Sequence, residues 1–183
     1  MRVISGLYGG RVLKSPPDSK TRPTSDRLRE TLFNILAPRI QGSRFLDLCA
    51  GSGAIGMEAV SRGASHTTFV DRSRKACALI EENLDRLSIP EEQTDIHALS
   101  AENFVGRKHD LGWDIVFYDP PYENNYALVL FEFGSPESTL LNEDGIFIAE
   151  HHSKNALADA AGLLRRWRIL KQGETSLSFY ERN

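Results

Sequence analysis

The sequence has few cysteines, no long apolar run and little net charge, and each absence narrows the class of protein. Its 183 residues include two cysteines, Cys49 and Cys77, which are too few for a disulfide framework. No apolar stretch is long enough to span a bilayer, and the opening MRVISGLYGG lacks the apolar core of a signal peptide. We therefore expect a cytoplasmic protein with the length and composition of an ordinary globular domain.

The net charge of −3 does not suggest a polyanionic partner, but the charge is unevenly distributed. Residues 1–44 hold nine Lys and Arg against three acids, whereas the rest of the chain holds 13 basic and 22 acidic side chains. Such asymmetry is typical of a basic arm that binds a polyanion. A solvated basic surface without any partner explains the composition equally well.

The first 42 residues predict a hairpin followed by a helix. RVISG and GRVLK read as short strands around LYGG, and the proline-rich SPPDSKTRP reads as a loop. TSDRLRETLFNILAP then predicts an amphipathic helix that Thr24 or Ser25 caps and Pro38 stops. Arg27 and Arg29 are expected on the polar side of this helix.

From Arg44 onward, strand and helix patterns alternate. RFLDLC, HTTFVD, TDIHAL, WDIVFYD and GIFIAE predict strands, with further helices expected around residues 126–133 and 155–164. RWRILKQG and SLSFYER are too close together for a crossover helix, so they predict two strands that add an antiparallel pair to the sheet. The pattern indicates an α/β, doubly wound, Rossmann-like sheet over residues 43–183, preceded by an extension over residues 1–42.

A glycine-rich turn follows the first of these strands. DLCAGSGAIG places glycines at positions 51, 53 and 56, and Asp71 ends the next strand. Glycines let a ligand approach the backbone, and a carboxylate at that strand end can accept both ribose hydroxyls. The arrangement fits either NAD or S-adenosylmethionine, and a tight strand-to-helix turn without a ligand is the simpler alternative.

Asp47 favours S-adenosylmethionine over NAD because a dinucleotide-binding strand is normally apolar at that position. A carboxylate there can face the cationic end of the methyl donor, or it can accept N–H groups and shape the turn. FLDLCAGSGAIGMEAVSRGA also resembles motif I of the S-adenosylmethionine-dependent methyltransferases, and FVD resembles their motif II. The resemblance implies S-adenosyl-L-methionine as cofactor, held by a set of residues that includes Asp47, Gly51, Gly53, Asp71, Arg72 and, further along the chain, Asp119.

The stretch VFYDPPYENN places an acid, two prolines and an aromatic ring at the end of the fourth strand. Asp119 can accept one hydrogen of an exocyclic amine and the Pro120 carbonyl the other, which aims the nitrogen lone pair at a methyl group. Tyr122 can stack on the base. Asp119-Pro120-Pro121-Tyr122 resembles the [DNS]-P-P-[YFW] motif of amino-methyltransferases that act on nucleic acids, although a rigid turn is the simpler explanation.

The start of the chain carries a more specific resemblance. MRVISGLYGGRVL and RPTSDRLRETLFNIL are similar to the opening of the RsmD-type family, bacterial enzymes that methylate a guanine N2 in small-subunit ribosomal RNA. The resemblance covers nearly the whole chain and implies 16S ribosomal RNA as the partner, within a small subunit or its assembly intermediate. It implies these substrate-binding residues: Arg22, Thr24, Arg27, Arg29, Pro121 and Tyr122.

One position departs from the family pattern. The family usually has an Asp-Ala pair after the third strand that contacts the adenine, whereas this chain has Ser100 and Ala101. The resemblance makes both residues candidates for cofactor binding. Ser100 can still hydrogen-bond the adenine, but less strongly than a carboxylate, and Glu102 is a possible substitute.

Several other interpretations remain open on the sequence. Glu150, His151 and His152 are adjacent in a strand and show no further ligand, so no metal site is expected. Rival functions are an N6-adenine DNA methyltransferase and a non-catalytic RNA-binding module on the same fold. The length leaves no room for a separate target-recognition domain, which disfavours the DNA enzyme. A monomer is the favoured oligomeric state.

Overall fold

The computed structural model of the protein describes residues 1–15, 25–121 and 126–183, and these form five α-helices and eight strands. The helices are α1 (Asp26–Ile40), α2 (Ala54–Ser61), α3 (Arg74–Leu87), α4 (Ala101–Val105) and α5 (Tyr126–Gly134). The strands are β1 (Arg44–Leu48), β2 (His66–Val70), β3 (Thr94–His97), β4 (Trp113–Tyr118), β5 (Leu141–His152), β6 (Ala160–Ala161), β7 (Leu164–Gln172) and β8 (Thr175–Arg182).

All eight strands belong to one sheet with the order β3-β2-β1-β4-β5-β8-β7-β6. The first five strands run parallel, whereas β8 is antiparallel to β5 and β7 is antiparallel to β8. The predicted doubly wound sheet with an antiparallel end is therefore confirmed. Strand order reverses between β1 and β4, and in such sheets the crevice at the carboxyl ends of these strands is where ligands bind.

Helices cover both faces of the sheet and divide the core. On one face Val116, Tyr118 and Phe147 pack with residues of α4 and α5. On the other face α1 packs against a second set that includes Phe117 and Ile148. Because alternate residues of β4 point to opposite faces, the strand is buried on both sides, as expected for a central parallel strand.

Helix α1 begins as predicted but runs past its predicted end. The Ser25 hydroxyl accepts the Leu28 N–H at 3.2 Å and caps the helix. Pro38 was expected to stop it, which is wrong, because the helix continues to Ile40. A proline this close to the carboxyl end removes only one helical hydrogen bond, and burial of Ile40 in the core holds the final turn.

The placement of Arg29 on the polar side of α1 is also wrong. Its side chain is fully buried, and one guanidinium nitrogen donates to the Arg2 carbonyl oxygen at 2.8 Å and to the Asp26 carboxylate at 2.7 Å. The hairpin covers this side of α1, which the helical periodicity alone does not reveal. Arg29 therefore links two elements of the protein and is not available to a substrate.

The helix predicted over residues 155–164 is wrong. The chain forms turns and the short strand β6 there, and Gly162 has a φ of 56°. Gly134 and Gly162 approach so closely that a Cβ on Gly162 would lie 2.1 Å from the Gly134 carbonyl oxygen. The Tyr180 hydroxyl donates to the Ala158 carbonyl oxygen at 2.8 Å, so long-range contacts override the helix propensity of this alanine-rich stretch.

The hairpin of residues 1–13 is confirmed in a minimal form and packs against the sheet domain. Its strands meet in one bridge between Arg2 and Val12, supported by further backbone hydrogen bonds. Glu58 of α2 accepts the backbone N–H of Ile4 at 2.7 Å and that of Ser5 at 3.1 Å. The separation of residues 1–42 as an extension stays a prediction. No helix in the described part of the chain is long and apolar enough to cross a membrane.

Candidate active site

The glycine turn connects the carboxyl end of β1 to α2. Cys49 and Gly51 have φ values of 67° and 55°, and Gly53, at the start of α2, has a φ of 75°. The N–H groups of Cys49 and Ala50 both donate to the Val70 carbonyl oxygen, at 2.8 and 3.0 Å. The turn is therefore tied to the end of β2, next to Asp71.

Asp71 holds the turn with both carboxylate oxygens. One oxygen accepts the Gly51 N–H at 2.9 Å and the other accepts the Ser73 N–H at 2.8 Å. Each carboxylate oxygen can accept a second hydrogen bond, so this pairing leaves acceptor capacity toward the solvent. Asp71 thus fixes the backbone of the turn and can still receive ribose hydroxyls.

Asp47 lies in β1 beneath the same turn. Its side chain is buried, and one oxygen accepts the Gly56 N–H at 2.9 Å. Burial raises the pKa of Asp47 to about 7, and the nearby Asp71 carboxylate adds to this effect, whereas the Gly56 N–H opposes it. Asp47 therefore shapes the turn, which is one of the two roles that the sequence suggested for it. With this pKa its carboxyl group would ionise readily beside a cation.

Open space lies beside Gly51. A Cβ added to Gly51 would meet no atom within 4 Å, whereas one added to Gly56 would lie 2.2 Å from the Phe69 ring. Gly56 is therefore required for packing of α2 on β2, and Gly51 faces open space. The third glycine of such turns allows close packing of helix and strand, while the earlier ones allow close approach of the ligand. The residues present fit a nucleoside cofactor.

Asp119, the first residue of the predicted catalytic motif, lies next to this turn. It follows β4, and its N–H donates to the Leu48 carbonyl oxygen of the neighbouring strand at 3.2 Å. Removal from water raises the pKa of Asp119 well above its usual value, and the Glu150 and Asp47 carboxylates raise it further. Pro120, which follows, is buried, and Pro121 is exposed.

Four carboxylates surround Cys49. Burial raises the pKa of its thiol first, and Asp71, Asp119, Glu102 and Asp47 each raise it further. The thiol therefore stays protonated and unreactive, which agrees with the packing role expected for it. Within residues 1–15, 25–121 and 126–183, none of these four acids has an ion-pair partner. These acids form an anionic cluster that favours a cationic ligand.

Ser100 and Ala101 lie where β3 leads into α4. The Ser100 hydroxyl oxygen caps α4 by accepting the Asn103 N–H at 3.2 Å, and Ala101 is buried. Sequence reasoning did not predict α4. The Glu102 carboxylate, in the first turn of α4, raises the pKa of the Cys49 thiol and therefore lies near the glycine turn. Ser100 keeps its hydroxyl hydrogen for a ligand, whereas Glu102 offers a carboxylate.

The remaining predicted residues are only partly described. Arg22, Thr24 and Tyr122 lie outside the described residues. Arg27 and Arg72 are both exposed, Arg27 in the first turn of α1 and Arg72 immediately after Asp71. In the described part of the chain, no group of three His, Cys, Asp or Glu side chains is arranged to hold a metal ion.

Sequence reasoning missed two residues that organise the site. Glu150, at the end of β5, lies one strand away from Asp119 and raises its pKa. Asn83 of α3 is fully buried, and its side-chain amide donates to the carbonyl oxygens of Lys14 and Ser52, at 3.0 and 3.4 Å. Asn83 thus joins the end of the hairpin to the glycine turn. The only signal in the sequence was a polar residue at a position of α3 where the helical pattern expects an apolar one.

The fold, the glycine turn with Asp71 and the acid at the end of β4 define a Rossmann-like methyltransferase that depends on S-adenosylmethionine. A profile of the family described as "Conserved hypothetical protein 95" matches residues 1–181. The chain belongs to this family.

Curated relatives and solved structures agree with this assignment. The chain is 38% identical to "Putative rRNA methyltransferase YlbH" of Bacillus subtilis over 184 residues, covering 100% of this chain and 99% of the relative. It is 33% identical to "Ribosomal RNA small subunit methyltransferase D" of Escherichia coli K12 over 183 residues, covering 100% and 90%. The solved structure "Putative methyltransferase yhhF from Escherichia coli" superposes with a TM-score of 0.88 at 31% identity, covering 100% and 98%.

Proposed function

We propose that the protein transfers a methyl group from S-adenosylmethionine to the exocyclic N2 amine of a guanine in 16S ribosomal RNA. The observation that carries this proposal is the hydrogen bond between the Asp119 N–H and the Leu48 carbonyl oxygen. It joins the amine-binding motif to the cofactor turn at one point of the sheet. The relatives named for methylation of ribosomal RNA, one of them for the small subunit, support the polymer.

S-adenosylmethionine supplies an electrophilic methyl group on a cationic sulfonium centre. Asp71 and the open side of Gly51 bind its nucleoside part, and the acids around Cys49 favour its positive charge. Asp47 is hydrogen-bonded to the Gly56 N–H and faces the cation as a carboxylate. Either Ser100 or Glu102 binds the adenine edge.

Asp119 and the Pro120 carbonyl together orient the amine. A guanine N2 is a poor nucleophile because its lone pair is delocalised into the ring. Two fixed acceptors hold both hydrogens, favour a tetrahedral nitrogen and aim its lone pair along one direction. The raised pKa of Asp119 makes its carboxylate a stronger acceptor than an ordinary aspartate once it is ionised.

Tyr122 stacks on the flipped base, and Pro121 and Arg27 contact the RNA beside it. Arg22 and Thr24, which the family resemblance makes substrate-binding candidates, are proposed to contact the RNA as well. Arg29 has no part in substrate binding because it is buried. We propose that the protein acts as a monomer in the cytoplasm, on the small subunit or its assembly intermediate.

Methyl transfer to defined polymers tests this proposal. The protein is incubated with labelled S-adenosylmethionine and, separately, with small subunits that lack the modification, large subunits and double-stranded DNA. We expect label only in the RNA of the small subunit. Label only in DNA would support the adenine-N6 alternative and contradict the proposal. No label with any polymer, despite cofactor binding, would support the non-catalytic alternative.

A further inference from the structure

A surface on β7 remains unexplained by the proposed site. Strand β6 pairs only with Leu164 and Arg165, so residues 167–172 form an edge of the sheet in the described chain. The register of β7 against β8 shifts between Arg166 and Arg168, which makes Trp167 a bulged residue. Bulges often redirect a side chain next to a functional surface.

Trp167 is held in place but exposed. Its ring lies 5.6 Å from the ring of Phe179, a core residue on the α1 side of the sheet. Nevertheless 46% of Trp167 is accessible, whereas the other tryptophan, Trp113, is 3% accessible in the opposite core. An anchored indole with an open ring is suited to stacking on a flat ligand.

Two cations without partners follow this indole along the edge strand. Arg168 and Lys171 are exposed, and neither side chain has a hydrogen bond or ion pair with any residue that the structure describes. Arg166, by contrast, is held by the Asp159 carboxylate and by the Leu157 carbonyl oxygen. We call Trp167, Arg168, Ile169 and Lys171, all on this sheet edge, the β7 strip. Trp167 and Arg168 lie on the α1 side of the sheet, and Ile169 and Lys171 lie on the other side.

The β7 strip leads toward the catalytic end of the sheet. Across the sheet, Arg168 of β7 lies opposite Phe179 of β8, which lies opposite Ile148 of β5. Two residues further along β7, Leu170 lies opposite Leu177, which lies opposite Glu150. Asp119 lies one strand further on. With strands about 4.8 Å apart and a rise of about 3.3 Å per residue, Trp167 and Asp119 are separated by roughly 15–20 Å.

We infer that the β7 strip is a second RNA contact, at which Trp167 stacks on an unpaired base and Arg168 and Lys171 bind phosphates of the strand that enters the site. This inference rests on the proposed RNA substrate. Positive charge on an edge strand also discourages pairing with other chains. That role explains the cations but not an anchored, open indole next to Arg168, and stacking plus phosphate binding explains both.

The two tryptophans allow a direct measurement of stacking. Titration with a single-stranded RNA of about a dozen nucleotides should quench the emission of Trp167 in the wild-type protein. Trp167→Phe leaves only the buried Trp113, so its emission should not respond to the RNA. Unchanged emission of the wild-type protein at saturating RNA would overturn the stacking contact.

The cations are tested with matched variants. The double variant Arg168→Ala/Lys171→Ala should bind the same RNA at least about fivefold more weakly, and its salt dependence should decrease by roughly 1.4 in logarithmic slope for two lost phosphate contacts. The control Arg107→Ala/Lys108→Ala removes two exposed cations from the loop after α4 and should retain wild-type binding. Equal affinity of the β7 variant and the control would overturn the inference.

Failure of the inference can be distinguished from failure of the proposed function. The β7 variants should methylate small subunits with a raised KM and a kcat close to that of the wild type, because they leave Asp119 unchanged. Weakened binding to the subunit with normal binding to free RNA would assign the surface to a ribosomal protein and overturn the RNA contact. A wild-type protein that binds RNA through Trp167 but methylates none would contradict the proposed function alone.

Discussion

The cofactor side and the catalytic side of the site hold their acids in opposite ways. Asp71, beside β2, accepts backbone N–H groups at both oxygens, from Gly51 and Ser73. Asp119, beside β4, lies in a desolvated position near Glu150 and Asp47, which raise its pKa. The fold itself stabilises the ionised form of Asp71. The ionised form of Asp119 becomes favourable only when a cation and an amine donor bind. We therefore propose that the cofactor site is preformed and that catalysis depends on the assembled complex.

Replacement of Asp119 should produce the largest effect and most clearly separate the two sides. In Asp119→Ala the amine loses one of its two fixed acceptors, so we expect kcat to fall by roughly 10³-fold. Affinity for S-adenosylmethionine should weaken by at most about tenfold, because one acid near the cation is lost while Asp71 and the turn are intact. Single-turnover assays and calorimetry measure these quantities. Turnover within tenfold of the wild type would contradict the catalytic assignment.

Replacement of Asp71 should show the reverse pattern. Asp71→Ala removes the acceptors for the Gly51 and Ser73 N–H groups and for the ribose, so affinity for the cofactor should weaken by about 10- to 100-fold. At saturating cofactor, kcat should stay within a few fold of the wild type. Calorimetric titration and steady-state kinetics check this prediction, and a selective loss of kcat would contradict it.

Proton release should accompany cofactor binding. The pKa of Asp47 is about 7, so this side chain is largely protonated at mildly acidic pH and must ionise to face a cation. Affinity should therefore increase by up to about tenfold per unit as the pH rises from about 6 to 7. Calorimetry at pH 6.5 in buffers of different ionisation enthalpy measures the released protons. In Asp47→Asn the release should decrease, and the wild-type value in this variant would assign the protons elsewhere.

Asp47→Asn should also stabilise the protein when no ligand is bound. Because the pKa of Asp47 rises from 3.8 to about 7 on folding, the folded chain binds an extra proton between these values and loses stability as the pH increases through that window. At pH 7.5 Asp47→Asn should raise the free energy of unfolding by about 2 kcal/mol, since the amide oxygen can still accept the Gly56 N–H. Urea denaturation at pH 5 and 7.5 tests this, and an equal effect at both pH values would contradict it.

The smallest effects should identify the group that binds the adenine. Ser100→Ala removes the cap of α4 and should reduce stability by about 1 kcal/mol, with cofactor affinity unchanged within about twofold. Glu102→Gln should weaken affinity for the cofactor by about fivefold, because an amide oxygen is a weaker acceptor than a carboxylate for a hydrogen bond from the adenine amine. Thermal denaturation and calorimetry separate these outcomes, and a larger affinity loss in the serine variant would reverse the assignment.

Local signals predicted the glycine turn and its neighbouring strands well, and long-range contacts explain the errors elsewhere. The glycine turn and Asp71 are read from neighbouring residues, and their geometry follows from the strand and helix around them. The burial of Arg29 depends on the hairpin, and the absence of a helix at residues 155–164 depends on contacts with Gly134 and Tyr180. No helical or strand period contains this information.

Charge counted along the sequence was a poor guide to charge available at the surface. Several cations of residues 1–44 are engaged by the protein, including Arg29, Arg39 with Glu181 and Lys14 with Glu82. The β7 strip contains fewer cations, but Arg168 and Lys171 have no partner among the described residues. A structure is needed to make this distinction, because the partners are distant in sequence.

Mapping of the methylated atom tests the central claim most directly. Small-subunit RNA is digested to nucleosides after reaction with the wild-type protein, and the modified nucleoside and its position are identified by mass spectrometry. The account predicts N2-methylguanosine at a single position, absent when Asp119→Ala is used. A methyl group on adenine or on a ring nitrogen, or the same yield of N2-methylguanosine with Asp119→Ala, would contradict it.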